Sequence, residues 1–189
     1  MVDERELARE ASRQRAAERR RATWPHMLAS LLVVLGIVVG LVLLVPRTDR
    51  VTQPPVDVAA GARAAASKVE FVPSVPSGLP AGWRATSVRT TRSTASVLTW
   101  HAGYVTADDQ YAAVEQGQDA PAEWVRSQTN RGREEGTLDV GGVAWRRFVR
   151  LDKVQHSLVH QRGDVTTVVT GTATFSDLAV LAASLQPAP

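Results

Sequence analysis

The four histidines, with the carboxylates and serines around them, are the residues of this chain whose types could do chemistry. His101 precedes Asp108 and Asp109 in a serine-rich chain, which supplies the three residue types of a nucleophilic triad. No G-x-S-x-G motif sets a serine on a strand-to-helix elbow, however. The expectation is a half-exposed strand histidine beside solvated turn carboxylates. His156 and His160 have the H-x3-H spacing that puts two metal ligands on one helix face. Their segment alternates like a strand, where that spacing separates the side chains by roughly 13 Å. One metal does not bridge that distance. Asp119 and Glu123 would share a helix face, and an acid at a helix N-terminus needs no catalytic explanation. Gly132-x3-Gly136 and Gly141-Gly142 punctuate loops and match no phosphate-cradling motif. The expectation is no catalytic residue, no cofactor and no metal, in a chain that is not an enzyme.

Binding residues are the next candidates. Trp83, Trp100, Trp124 and Trp145 either line a pocket or make a core. Trp100 and Trp145 fall in alternating strands and read as core. Trp83 and Trp124 are left as contacts for a ligand or partner. Gly36 and Gly40 give the small-xxx-small spacing that lets two apolar helices approach, which would support a weak homodimer.

The elements that would position these residues begin with residues 27–45, MLASLLVVLGIVVGLVLLV, which hold no charge and one hydroxyl. A helix of that length is about 28 Å long, close to the ~30 Å hydrocarbon core of a bilayer. Arg9, Arg13, Arg15, Arg19, Arg20 and Arg21 precede it, whereas Arg47, Arg50 and Arg63 follow. That asymmetry places the N-terminus in the cytoplasm. The domains predicted are a basic cytoplasmic arm (1–26), a transmembrane helix (27–45), a linker with a short Ala-rich helix (46–70), and an extracytoplasmic domain (71–189). A cleaved signal peptide would have a shorter apolar run ending near a small-x-small site. Here the run meets Pro46-Arg47-Thr48-Asp49 instead. The chain contains no cysteine, which excludes a lipidated cysteine anchor and disulfide staples. Residues 46–189 carry fifteen Arg and Lys against fourteen Asp and Glu, so no basic face supports nucleic-acid binding.

The outer domain is patterned for an antiparallel sheet. Residues 71–82 read as a proline-rich loop and 83–90 as a strand. Leu98, Trp100, Ala102 and Tyr104 recur at period two. Residues 107–110 make the turn, and 111–116 return. A helix runs from Asp119-Ala120-Pro121 to about Thr129, with proline in its first turn. Residues 130–136 are polar loop. Strands 137–140 and 143–150 flank Gly141-Gly142, which permits a tight hairpin. Strands 156–161 and 165–170 flank Arg162-Gly163-Asp164. Ser176 caps a last helix carrying Leu178, Leu181, Ala182 and Leu185, which Pro187 ends. The predicted fold is α+β: a six- or seven-stranded antiparallel sheet with both helices on one face.

The order of a basic arm, an apolar span and an Ala-rich helix leads into Gly78-Leu79-Pro80-Ala81-Gly82-Trp83. Gly103-Tyr104-Val105, Val140-Gly141-Gly142-Val143-Ala144-Trp145-Arg146-Arg147 and Val168-Val169-Thr170-Gly171-Thr172-Ala173 follow. This resembles the actinobacterial membrane proteins grouped as domain of unknown function 4245, over about residues 20–186. The resemblance implies a cell-membrane protein with an exterior α+β domain, and carries no functional residues with it.

Three functions fit these observations. A tethered binding or sensory module would recognise an envelope protein, peptide or glycan. A carrier would hold a lipid or other hydrophobic ligand between sheet and helices. An envelope hydrolase would use His101 or Asp109.

Overall fold

The computed structural model describes residues 27–41 and 56–189. The arm at 1–26, the last four residues of the expected span and residues 46–55 of the linker lie outside the described residues. The chain divides into two compact units, Met1–Thr52 and Gln53–Pro189.

In the first unit, residues 27–41 form a helix, α1. Its large apolar side chains from Met27 to Leu41 are all exposed. A Cβ added at Gly36 or Gly40 would meet nothing within 4 Å. Among the described residues no helix is long and apolar enough to cross a membrane.

The second unit is an antiparallel, sheet-rich α+β domain. It opens with α2 (Val58–Ala66), capped by the Asp57 carboxylate, which accepts from Ala60 N–H at 2.9 Å. Seven strands make the main sheet: β2 (Arg84–Arg92), β3 (Leu98–Val105), β4 (Tyr111–Gln118), β5 (Arg133–Val140), β6 (Val143–Arg150), β7 (Gln155–Arg162) and β8 (Val165–Gly171). Helix α3 (Ala122–Gln128) intervenes between β4 and β5, and α4 (Phe175–Ala183) follows β8. The order across the sheet is β2-β3-β4-β8-β7-β6-β5, every neighbour antiparallel. Gly141 and Gly142, at φ 61° and 83°, close the β5–β6 hairpin in the left-handed conformation that side-chain-bearing residues resist.

The sheet is covered on both faces. On the first, Trp100, Ala102, Val114, Leu158 and Val169 pack with Ala62 and Ala65 of α2 and Leu178 and Leu181 of α4. On the second, Val159, Val168 and Phe148 pack with Trp124 of α3 and with Val97. The expectation that both helices share one face is thereby corrected: α3 and α4 lie on opposite faces. Gly117 gives the physical reason. A Cβ there would come within 2.7 Å of Val97 and 3.2 Å of Trp124, so its bare backbone makes the seat into which the α3 indole drops.

Three boundaries also differ from the pattern. Residues 71–82 contain a short strand, β1 (Ser74–Pro76), paired with β9 (Leu185–Pro187) in a separate two-stranded sheet. Leu185 therefore belongs to a strand rather than to the last helix. The expected polar loop at 130–136 is strand from Arg133, its ladder shifted between Glu134 and Thr137. Thr174, not Ser176, caps α4. Its hydroxyl accepts from Asp177 N–H at 3.2 Å while the Asp177 carboxylate accepts from Thr174 N–H, a reciprocal capping box.

Candidate functional site

A groove of about 770 Å³ opens on the first face of the sheet, beside the packed helices. One wall is the β1–β9 pair with the end of α4, and the other is the β5–β6 hairpin. Val72, Val143, Trp145, Ala182 and Leu185 give it apolar sides; Gln116 and Thr167 form a polar floor, and Gln161 and Arg162 lie at one end. The volume falls in the range of ligand pockets, which run roughly 300–1,000 Å³.

The floor is fixed from within. Gln116 is buried, and its Oε1 accepts from Ser74 N–H at 2.6 Å. Its Nε2 donates to Ser74 Oγ at 3.1 Å and Thr167 Oγ1 at 3.0 Å. Trp100 Nε1 donates to Ser74 carbonyl oxygen at 3.2 Å. These bonds hold β1 over the sheet, and β1 in turn carries β9, the groove's outer wall. Trp145 is steadied by the His160 ring, their centroids 5.2 Å apart.

The tryptophans proposed as contacts sit elsewhere. Trp83 is half-buried against the first core cluster. Trp124 is fully buried, and its Nε1 donates to Ser93 Oγ at 3.0 Å and Thr99 Oγ1 at 2.9 Å. Trp145, assigned to the core by its alternation, is buried in the first core cluster at 6% exposure and also lines the groove. His156 is held separately from His160, its Nδ1 lying 2.9 Å from the Ala173 carbonyl and its ring against Phe175. Among the described residues no group of three His, Cys, Asp or Glu could hold a metal ion. Asp109 pairs with exposed Arg84 at 3.0 Å.

His101 is the residue whose surroundings differ most from expectation. Instead of being half-exposed, it is 2% exposed on the second face. Its Nδ1 lies 2.6 Å from Glu115 Oε1, and its Nε2 lies 3.0 Å from Ser87 Oγ. A carboxylate only accepts, so Nδ1 donates to Glu115, while Nε2 faces the Ser87 hydroxyl. The Tyr111 hydroxyl stands nearby. Burial pushes its pKa above the ordinary tyrosine value, the Glu115 charge adds to that push, and Arg89 opposes it. Sequence reasoning missed both partners of His101. Counting outward from a 107–110 turn pairs residue 101 with 116; the ladder instead closes Val105 on Tyr111, which moves the register by one and sets His101 opposite Glu115. Ser87 was hidden by a register shift between Ala85 and Ser87, which brings Ser87 opposite Gly103.

No curated protein matches this chain. Among solved structures it resembles MucB in complex with MucA(peri), at a TM-score of 0.40 and 17% identity, over 64% of this chain and 38% of that one. It thus spans well under half of the MucB chain. A GTP binding regulator from Thermotoga Maritima aligns at a TM-score of 0.38 and 14% identity, over 56% of this chain and 79% of that one. The family model for "Protein of unknown function (DUF4245)" matches residues 19–185, nearly the whole described domain and the apolar segment before it, and the chain belongs to that family.

Proposed function

We propose that this protein is a membrane-tethered binding module whose outer domain holds an apolar peptide segment of an envelope partner in the groove beside α4. Residues 27–45 anchor it in the cell membrane, with 1–26 in the cytoplasm and 46–189 outside. The observation that carries this reading is the groove itself: apolar walls, a polar floor already satisfied by protein, and one tryptophan held at its side. Binding there needs no bond to be made or broken.

A lipid carrier is less well supported. The space between the sheet and α2 and α4 is filled, with Trp100, Leu158, Val169, Leu178 and Leu181 all at 0% exposure. The groove is open along one side. A carrier must enclose most of its ligand's surface.

The test is site-specific photocrosslinking in cells, with a photoreactive residue at Val143 of the full-length chain. A discrete protein adduct, lost when Val72→Arg places a charge at the exposed side of the groove, is the expected result. Adducts to lipid alone, or a protein adduct that Val72→Arg leaves unchanged, would overturn the reading.

A further inference from the structure

The groove uses one face of the sheet, and the opposite face carries an arrangement that binding leaves idle. Ser87 on β2, His101 on β3 and Glu115 on β4 form a continuous hydrogen-bonded chain across three adjacent strands. We infer that Ser87 is the nucleophile of an acyl-transfer site for carboxylic esters, with His101 as its base and Glu115 as the residue that positions the imidazole.

Four features support this. The atoms are the correct ones: Nε2 faces the hydroxyl and Nδ1 faces the carboxylate, the arrangement a serine nucleophile and its base require. The register shift before Ser87 re-aims its side chain toward Gly103 and His101, a common use of a bulge. Gly103 leaves the meeting point clear. A Cβ there would lie 2.5 Å from Ser87 Oγ, 3.2 Å from His101 Nε2 and 3.2 Å from the Tyr111 hydroxyl. Finally, the chain opens to solvent at its serine end. Ser87 is half-buried, Arg89 on the same strand is exposed, and Tyr111 is 39% exposed.

The reaction has two balanced halves. Ser87 Oγ attacks the ester carbonyl carbon as its proton passes to His101 Nε2. The carbon–oxygen bond to the alcohol then breaks, and the alcohol leaves with that proton. Water attacks the acyl-serine, its proton passing to Nε2, and the carboxylic acid departs as the proton returns to Ser87. No electrons are transferred. The Tyr111 hydroxyl, which makes no hydrogen bond among the described residues, is placed to donate to the developing oxyanion.

The experiment treats the full-length chain with a fluorophosphonate probe, maps the adduct by mass spectrometry, and follows p-nitrophenolate release from p-nitrophenyl acetate. The expected result is one phosphonyl group on Ser87 and a nitrophenolate burst approaching one equivalent per chain. Ser87→Ala should abolish both, and His101→Gln should slow labelling by about 10²–10⁴-fold. Glu115→Gln should slow labelling while leaving the unfolding midpoint in place, which a merely structural role would not do. An unlabelled Ser87 in the wild-type chain overturns the inference without any variant having to fold. Labelling of Ser87 at the same rate in His101→Gln also overturns it.

Discussion

Tyr104 stands on the first face of the sheet with its hydroxyl buried and without a hydrogen-bond partner among the described residues. An unsatisfied buried donor costs roughly 1–3 kcal/mol. Tyr104→Phe removes the oxygen and keeps the ring, so it should stabilise the domain by about 1 kcal/mol in urea unfolding. Burial also raises the phenol's pKa above its ordinary 10.0. The group's stabilising contribution is therefore complete below pH 10.0 and declines as pH rises from there toward the raised folded value, because the unfolded phenol ionises first. Comparing unfolding at about pH 8 and about pH 11 should show a shallower alkaline loss in Tyr104→Phe. Tyr111, raised in the same direction, contributes to the loss that remains. An equal alkaline loss in both proteins would contradict the assignment. Individual residues were the least legible level of this sequence. Alternation marks Trp100, Ala102 and Tyr104 as inward, and implies that Thr99 and His101 face water. They do not, because β3 is an interior strand of a sheet that is covered on both faces. Which strands neighbour it, and what covers its second face, are tertiary facts that a period of two cannot carry.

At the scale of elements, the hairpins were readable because their chemistry is local. Gly141-Gly142 and Gly163 sit at positive φ, as tight turns require. The terminal pair was not readable. Ser74-Val75-Pro76 and Leu185-Gln186-Pro187 are three-residue strands with a proline each, and their partners lie more than a hundred residues apart. Nothing in either segment alone specifies the other. The pair is nonetheless what closes the groove. A chain ending at Ser184 keeps the seven-stranded sheet and α4. It loses the β1–β9 ladder, the bond from Ala188 N–H to Pro73 carbonyl oxygen at 2.8 Å, and the half-buried Leu185. A few hydrogen bonds near 1 kcal/mol each and one partly buried leucine put the loss at about 2–4 kcal/mol. The truncated chain should therefore still unfold cooperatively, at a lower midpoint, and should no longer form the Val143 photocrosslink. Retention of the crosslink would show that the outer wall is dispensable for binding.

The whole chain joins two parts with opposite relations to water. The unit from Gln53 to Pro189 buries its own core and nearly balances its charges. Helix α1, by contrast, exposes every large apolar side chain it has, from Met27 to Leu41. At roughly 25 cal/mol per Å² of apolar surface, a soluble chain would hold that helix in water at heavy cost. On the proposed reading a bilayer removes the cost, since the apolar run continues in sequence through Val45 to a length that would match the hydrocarbon core. On the same reading the arginines before the run set its direction. Two results should follow from the same cells. The full-length chain should stay in the membrane pellet through an alkaline carbonate wash, whereas a chain starting at Gln53 should be soluble and fold to the same unfolding midpoint as the intact protein's domain. Protease added outside intact cells should digest the C-terminal domain and spare a tag placed before Met1. Carbonate release of the full-length chain would mean that the apolar helix is covered by protein rather than lipid. The groove and the Ser87 site would then have to be sought inside a soluble assembly.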